Sequence, residues 1–153
     1  MASVYAGIPQ ALEIGMDWLF YAFVSAGFAA LTAVLAKVGV EGIPSTLATA
    51  IRTVVITVFA WAIVRALGEQ RLMATVPRRS WVFLVLSGFA TGASWLAYFR
   101  ALQLAPASRV APIDKLSLPL TIVFAAAVLG EPIGWRLAAG VALMTVGALL
   151  TIA

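Results

Sequence analysis

The stretch that decides the fold is residues 108–129, SRVAPIDKLSLPLTIVFAAAVL, an apolar run that carries Asp114 and Lys115 within it. A helix rises about 1.5 Å per residue, so about 20 apolar residues cross a hydrocarbon core about 30 Å thick. Four other runs of similar character fill most of the chain. The sequence therefore predicts an all-α integral membrane protein whose five transmembrane helices span residues 17–37, 45–67, 81–104, 108–129 and 135–152.

Composition supports the same class. The chain has 153 residues, of which 63% are hydrophobic and 10% charged, whereas about 25% of the residues in a soluble domain are charged. This length suits one small helical bundle. We expect an N-terminal extension over residues 1–15 and a single five-helix domain over residues 16–153.

The chain contains no cysteine and no histidine. Disulfides, zinc-thiolate sites and nucleophilic catalysis by Cys or His are therefore excluded, and neither catalytic residues nor metal ligands are predicted. No cofactor is expected, and the protein is not expected to be an enzyme. The net charge is +4, but the basic residues lie mainly at segment ends and in loops. That placement favours anchoring in the lipid bilayer over binding of nucleic acid.

Two prolines bracket the embedded charges of the fourth segment. Pro112 and Pro119 each remove a helix hydrogen bond and free a carbonyl. Broken helices at membrane depth line cavities, and in transporters they often build the substrate site. Pro112 lies near the start of the fourth segment, where a helix tolerates proline in its first turn. Pro119 lies deeper in the segment.

A polar stripe is predicted on one face of the fourth segment. Asp114, Ser117 and Thr121 share that face at helical spacing, whereas Lys115 points about 100° away from Asp114. Arg52 in the second segment lies at a similar depth from the same side of the membrane, about 10 Å in. We therefore expect Arg52 to be the partner of Asp114.

Two interpretations of this cluster stay open. In one, Asp114 and Arg52 form a buried structural pair, while Lys115 extends to the interface. In the other, the cluster contacts a substrate or a coupling ion, because charges embedded in a membrane usually serve function. Its net charge of +1 would then favour an anionic or zwitterionic ligand. Trp95 and Tyr98 of the third segment are further candidates for lining such a site.

Small residues recur at helix-packing spacing. Gly88 and Gly92 form a GxxxG motif in the third segment, and Gly140 and Gly147 share a face of the fifth. Such faces let two helices approach closely. Packing within the chain and packing between two copies both agree with the motif.

Four stretches carry a resemblance to a known family. They are WLAYFRAL at 95–102, ASRVAPIDKLS at 107–117, LGEP at 129–132, and the final helix with glycines at 140 and 147. Over about residues 16–153 the chain resembles the EamA family of the drug/metabolite transporter superfamily. The run through Asp114 and Lys115 is similar to the short, single-repeat branch of that family.

The resemblance implies a transport function. Members usually have ten helices in two inverted five-helix repeats, so one repeat implies either two copies or a different partner. We expect a secondary transporter protomer that moves a small polar metabolite by alternating access as a homodimer, and an antiparallel arrangement of the two copies stays open. The alternative is a non-transporting membrane partner or regulatory subunit that stabilises another membrane protein.

The related small multidrug resistance proteins carry a glutamate in their first helix, but no acid lies between Asp17 and Lys37 here. Asp114 is therefore the candidate for proton coupling.

Orientation follows only weakly from the basic residues. The expected location is the prokaryotic inner membrane. Five arginines fall on the side of the N-terminus: Arg65, Arg71, Arg78, Arg79 and Arg136. Three basic residues fall at segment ends on the other side: Lys37, Arg100 and Arg109. The positive-inside rule thus favours a cytoplasmic N-terminus. The embedded Arg52 and Lys115 lie nearer the other side, and counting them gives five basic residues on each side, so dual topology stays open.

Overall fold

A computed structural model describes residues 17–152, so the predicted extension over residues 1–15 lies outside the described part of the chain. All regular structure in the described part is helical, and the prediction of an all-α membrane protein is confirmed. The α-helices are α1 (Asp17–Gly39), α2 (Ser45–Ala66), α3 (Arg78–Leu104), α4 (Ala107–Asp114), α5 (Ser117–Phe124) and α6 (Trp135–Leu150). A 3₁₀ helix covers Glu69–Thr75, and a π-helical turn, Ala125–Leu129, extends α5.

Within the described residues 17–152, four stretches are long and apolar enough to cross a membrane: Trp18–Gly39, Ser45–Ala66, Arg78–Leu104 and Ala107–Leu129. The last of these combines α4, α5 and the π-helical turn. The fifth apolar helix, α6, has 16 residues and is therefore about 24 Å long, a little less than the hydrocarbon core.

Proline and glycine set the helix ends. Pro44, Pro77 and Pro106 stand immediately before α2, α3 and α4. Proline suits this place, because its φ matches a helix start and its missing N–H would have no helical partner there. Gly68 follows α2 with φ of 74°, a conformation that stops the helix and that side chains with a Cβ rarely adopt.

The structure consists of two compact units, one ending at Leu35 and the other beginning at Ala36. The first unit is the apolar part of α1. In the second unit, α2 packs mainly on α3, and α6 contacts both α4 and α5. Its core consists of Val40, Phe99 and Leu102, each at most 2% exposed.

Side chains from two elements hold one end of the second unit together. Lys37 Nζ donates to the carbonyls of Leu102 (2.6 Å) and Ala105 (3.3 Å), at the end of α3. Gln103 Nε2 donates in return to the carbonyl of Ile43 (2.6 Å), in the turn between α1 and α2. Carbonyls at a helix C-terminus lack helical partners and carry partial negative charge, so an ammonium group stabilises them. We call Lys37 and Gln103 the end clamp.

The glycine faces have no close neighbour within this unit. Apart from the adjoining residues and the nearby backbone of the glycine's own helix, no atom of residues 36–152 lies within 4 Å of the position that a Cβ would take at Gly88, Gly92, Gly140 or Gly147. The two glycines of α3 line a groove of about 610 Å³. Which surface these glycines contact stays a prediction.

Candidate functional site

The fourth span is broken beside its charged residues. Residue 119 is proline, so it has no N–H to donate to the carbonyl of Lys115, four residues earlier. That carbonyl accepts instead from the N–H of Leu118, at 3.0 Å, which is the spacing of a 3₁₀ turn. The chain is thereby tightened over Lys115 and Leu116, where α4 ends and α5 begins. Pro112 lies inside α4, which continues past it to Asp114.

This break falls within the predicted polar stripe. Asp114 is the last residue of α4, whereas Ser117 and Thr121 belong to α5. The Thr121 hydroxyl donates to the carbonyl of Ser117 at 2.8 Å. Because residues i and i+3 of a 3₁₀ turn stay aligned, the break does not by itself separate Asp114 from Ser117, and the shared face of the three side chains stays a prediction.

The charges also pair differently from the prediction. Lys115 Nζ lies 3.5 Å from Asp114 Oδ2, and both side chains are well exposed in the isolated chain. The expected pair of Asp114 with Arg52 does not form, so that prediction is wrong. Lys115 keeps right-handed helical backbone angles (φ −70°, ψ −8°), so the pair forms because the long lysine side chain reaches the carboxylate of its neighbour.

Arg52 instead stacks on aromatic rings of α3. Its guanidinium carbon lies 4.4 Å from the centroid of Trp95 and 5.4 Å from that of Phe99. Within residues 18–152, no carboxylate forms an ion pair with Arg52. A guanidinium can lie flat on a ring and keep its N–H donors at the edge of the plane. Arg52 is thus held in place while its donors stay available to an anion.

A cavity of about 460 Å³ brings Asp114 together with Tyr98. It lies between α3 and α4 and reaches Ile152, just after α6. Arg109 and Ser94 also line it, and the other lining side chains are small or aliphatic. A carboxylate, a guanidinium and two hydroxyls thus share an apolar enclosure, which is the usual composition of a small-molecule site. The other predicted substrate residues lie outside the lining: Arg52, Trp95, Lys115, Ser117 and Thr121.

Sequence reasoning missed Arg109 and Ser94 as lining residues. Arg109 was interpreted as a membrane anchor, because it stands near the start of a span. A signal was nevertheless present, since Arg109 and Ile113 are four residues apart and share a face of α4. Ser94 and Tyr98 are likewise four apart on α3. Helical spacing alone does not tell which face meets the neighbouring helix.

Comparison with known proteins identifies the family of the chain. The model of the EamA-like transporter family matches residues 16–153. The chain belongs to the EamA-like transporter family. The recognition made from the four sequence stretches is therefore confirmed, and with it the assignment as an integral membrane protein of a transporter family.

One relative of this EamA-family chain is described as an uncharacterized transporter in the cobO 3'region of Sinorhizobium sp.. It is 54% identical over 137 residues, which are 90% of this chain and 97% of the relative. The match therefore covers nearly the whole length of both proteins. No solved structure matches the chain. Family and relative together indicate a transporter role rather than catalysis.

Proposed function

We propose that this EamA-family chain is the protomer of a secondary transporter that moves a small polar metabolite across the prokaryotic inner membrane by alternating access. The observation that carries the proposal is the cavity of about 460 Å³ lined by Asp114 and Tyr98, beside the broken fourth span. A membrane-embedded carboxylate is costly unless it serves a ligand, an ion or a partner.

The charges of the cavity favour a zwitterionic substrate. Arg109 and Asp114 bring charges of both signs to the lining, and Lys115 lies outside the lining, 3.5 Å from the Asp114 carboxylate. A zwitterion would satisfy both, whereas a cation or an anion alone would leave one of them opposed by a like charge. The aliphatic lining, including Val110 and Ile113, would cover the apolar part of such a molecule.

Arg52 provides a second cationic position for an anionic substrate or substrate group. The aromatic rings of Trp95 and Phe99 fix its guanidinium, and no carboxylate of residues 18–152 neutralises it. Fixed donors of this kind need little reorganisation when an anion arrives.

The turn at Lys115 and Leu116 is the proposed pivot for alternating access. It joins two short helices of eight residues each with i to i+3 hydrogen bonds, and such breaks are typical of moving helices in transporters. Because Asp114 adjoins the pivot, a rotation of α4 against α5 would change the exposure of its carboxylate. Asp114 is also the proposed residue for proton coupling.

A second copy of the chain is the proposed other half of the transporter. The relative matches this chain over 97% of its own length, which supports a transporter assembled from single repeats. Two copies in opposite orientation would reproduce the inverted repeats of the ten-helix members. This dimer would place two sites of the kind described here in one assembly.

Flux measurements on purified protein in liposomes test the proposal. Liposomes are loaded with an isotope-labelled extract of small metabolites, and the compounds that leave are identified by mass spectrometry. We expect efflux of zwitterionic compounds that falls about tenfold or more in Asp114→Asn, the factor that 1.4 kcal/mol of lost interaction gives. Glu131→Gln, in the exposed connection before α6, is the matched control and should retain full flux. Unchanged flux in Asp114→Asn would refute the assignment of this site.

A further inference from the structure

A second polar groove lies at the end of α3, next to the turn between α1 and α2. Its volume is about 550 Å³, and its polar lining comprises Lys37, Glu41, Arg100 and Gln103. All of these residues belong to the unit that begins at Ala36. The groove shares no lining residue with the cavity around Asp114, so the proposed transport function does not account for it.

The charged groups of this groove have hydrogen-bonding capacity left over. An ammonium group has three donors, and Lys37 uses two of them on the carbonyls of Leu102 and Ala105. A guanidinium has five donors, and Arg100 uses one of them on Gln103 Oε1, at 3.1 Å. Neither cation forms an ion pair with a carboxylate of residues 18–152, and Glu41 likewise forms none. Two cations and one carboxylate therefore line the groove without neutralising one another.

The length of α3 places the groove at the level of the lipid headgroups. This helix has 27 residues and is therefore about 40 Å long, whereas the hydrocarbon core measures about 30 Å. At the average tilt of a membrane helix, about 20°, both of its ends still project into the headgroup layers. Arg100 lies one turn before the C-terminal end, and Leu104, at that end, is 72% exposed. A ligand in the groove would thus have its polar part among headgroups and an apolar surface beside it.

We propose that this groove binds the headgroup of a phosphatidylethanolamine lipid. Arg100 binds the phosphodiester, because guanidinium donors match phosphate oxygens in pairs, and Lys37 adds its remaining donor. Glu41 binds the primary ammonium, which carries three N–H donors. A phosphatidylglycerol headgroup has no such cation, and the carboxylate of Glu41 repels its phosphate. A choline headgroup has no N–H to donate. Leu104 contacts the start of an acyl chain.

Native mass spectrometry of the full chain, released from nanodiscs of equal phosphatidylethanolamine and phosphatidylglycerol content, tests the proposal. We expect retention of phosphatidylethanolamine over phosphatidylglycerol. Arg100→Gln should lower that retention about tenfold, because hydrogen bonds to charged groups contribute about 1.5–3 kcal/mol. Glu41→Gln should abolish the preference between the two lipids while keeping lipid bound.

Two matched controls lie in the 3₁₀ helix Glu69–Thr75, at the other end of α3. Arg71→Gln and Glu69→Gln remove the same charges there and should leave both retention and preference unchanged. Circular dichroism of each variant verifies that the helices are intact. Equal retention of both lipids by the unaltered chain would overturn the proposal, and so would an equal loss in Arg71→Gln. Displacement of the lipid by millimolar glycerophosphoethanolamine would assign the groove to a soluble phosphoamine instead and would also overturn it.

Discussion

At the residue scale, the planar shape of its guanidinium group determines how Arg52 packs on α3. Its guanidinium lies on Trp95, at 4.4 Å, and beside Phe99, at 5.4 Å. An ammonium group in the same place would keep the charge but could not lie flat on a ring. The aromatic pair therefore selects arginine, and this selection is separate from any need for positive charge.

We expect Arg52→Lys to destabilise the fold by about 0.5–2 kcal/mol, the range of a cation–π interaction from exposed to desolvated sites. Unfolding of the purified protein in increasing fractions of sodium dodecyl sulfate, followed by circular dichroism, measures the change. The control is Arg71→Lys, an exposed arginine of the 3₁₀ helix, for which no change is expected. Equal stability of Arg52→Lys and the unaltered chain would show that stacking contributes nothing.

The end clamp gives a second prediction at this scale. Lys37→Met keeps the length of the side chain but leaves the carbonyls of Leu102 and Ala105 without their donor. Because an ammonium hydrogen bond contributes about 1.5–3 kcal/mol, we expect a loss of about 2 kcal/mol in the same unfolding measurement. Lys115→Met, which removes an ammonium group that pairs with Asp114 and not with helix-end carbonyls, should lose less. Similar losses in the two variants would contradict the role of the clamp.

Sequence reasoning identified the residue types of the candidate site but not their partners. Asp114 and Tyr98 are conspicuous because polar groups are rare in apolar spans, and the structure brings these two together in one cavity. The pairing of Asp114 with Arg52 was wrong, because equal depth in the membrane says nothing about helix rotation. The partner of a side chain depends on which faces of two helices meet, and spacing along one helix does not contain that information.

At the scale of the element, the fourth span shows how one proline divides a helix. Pro119 is the third residue of α5, so its missing N–H falls among those that have no helical partner in any case. The proline therefore weakens the junction at Lys115 and Leu116 without weakening α5 itself. Pro112, inside α4, leaves that helix continuous.

We expect Pro119→Ala to join α4 and α5 into one helix. The alanine N–H can bond to the carbonyl of Lys115, which now accepts from Leu118. Hydrogen exchange should slow in peptides covering residues 113–121, by about tenfold for each 1.4 kcal/mol gained, and metabolite flux should fall because the pivot is lost. Pro132→Ala, between the π-helical turn and α6, should alter neither quantity. Slower exchange with undiminished flux would remove the pivot from the mechanism.

Hydropathy predicts the elements well for a physical reason. The bilayer has a fixed thickness, so a span must be both long and apolar, and each condition can be read directly from the residues. The division of the fourth span into α4 and α5 is harder to predict. A proline within a span can start a helix, kink it or end it, and the hydrogen bonds of the neighbouring turn decide among these outcomes.

At the scale of the whole molecule, the surface is largely apolar. Phe89 is 74% exposed, Val128 79% and Leu143 74%, and the buried core of the second unit is small. A surface of this kind is stable only against lipid chains or another protein. The uncovered glycine face of α3 is compatible with either neighbour.

The proposed antiparallel dimer predicts insertion in both orientations. The chain has no native cysteine, so single cysteines can be placed at Glu41, in the turn between α1 and α2, and separately at Glu69, in the 3₁₀ helix. These positions flank α2, Glu41 before its start and Glu69 after its end. We expect a membrane-impermeant thiol reagent to label each of them partially in intact cells. Full labelling of one position and none of the other would establish a single orientation and exclude the antiparallel pair.

The end clamp also constrains how the chain is synthesised. The ammonium group of Lys37 is bound by carbonyls that lie 65 and 68 residues later in the chain. While the ribosome is still translating α3, those carbonyls do not yet exist, and Lys37 must rely on water or on headgroups. The segment around Lys37 therefore gains its partners only after α3 and the residue that follows it have been synthesised. A chain arrested before Leu102 would lack both carbonyl partners of Lys37.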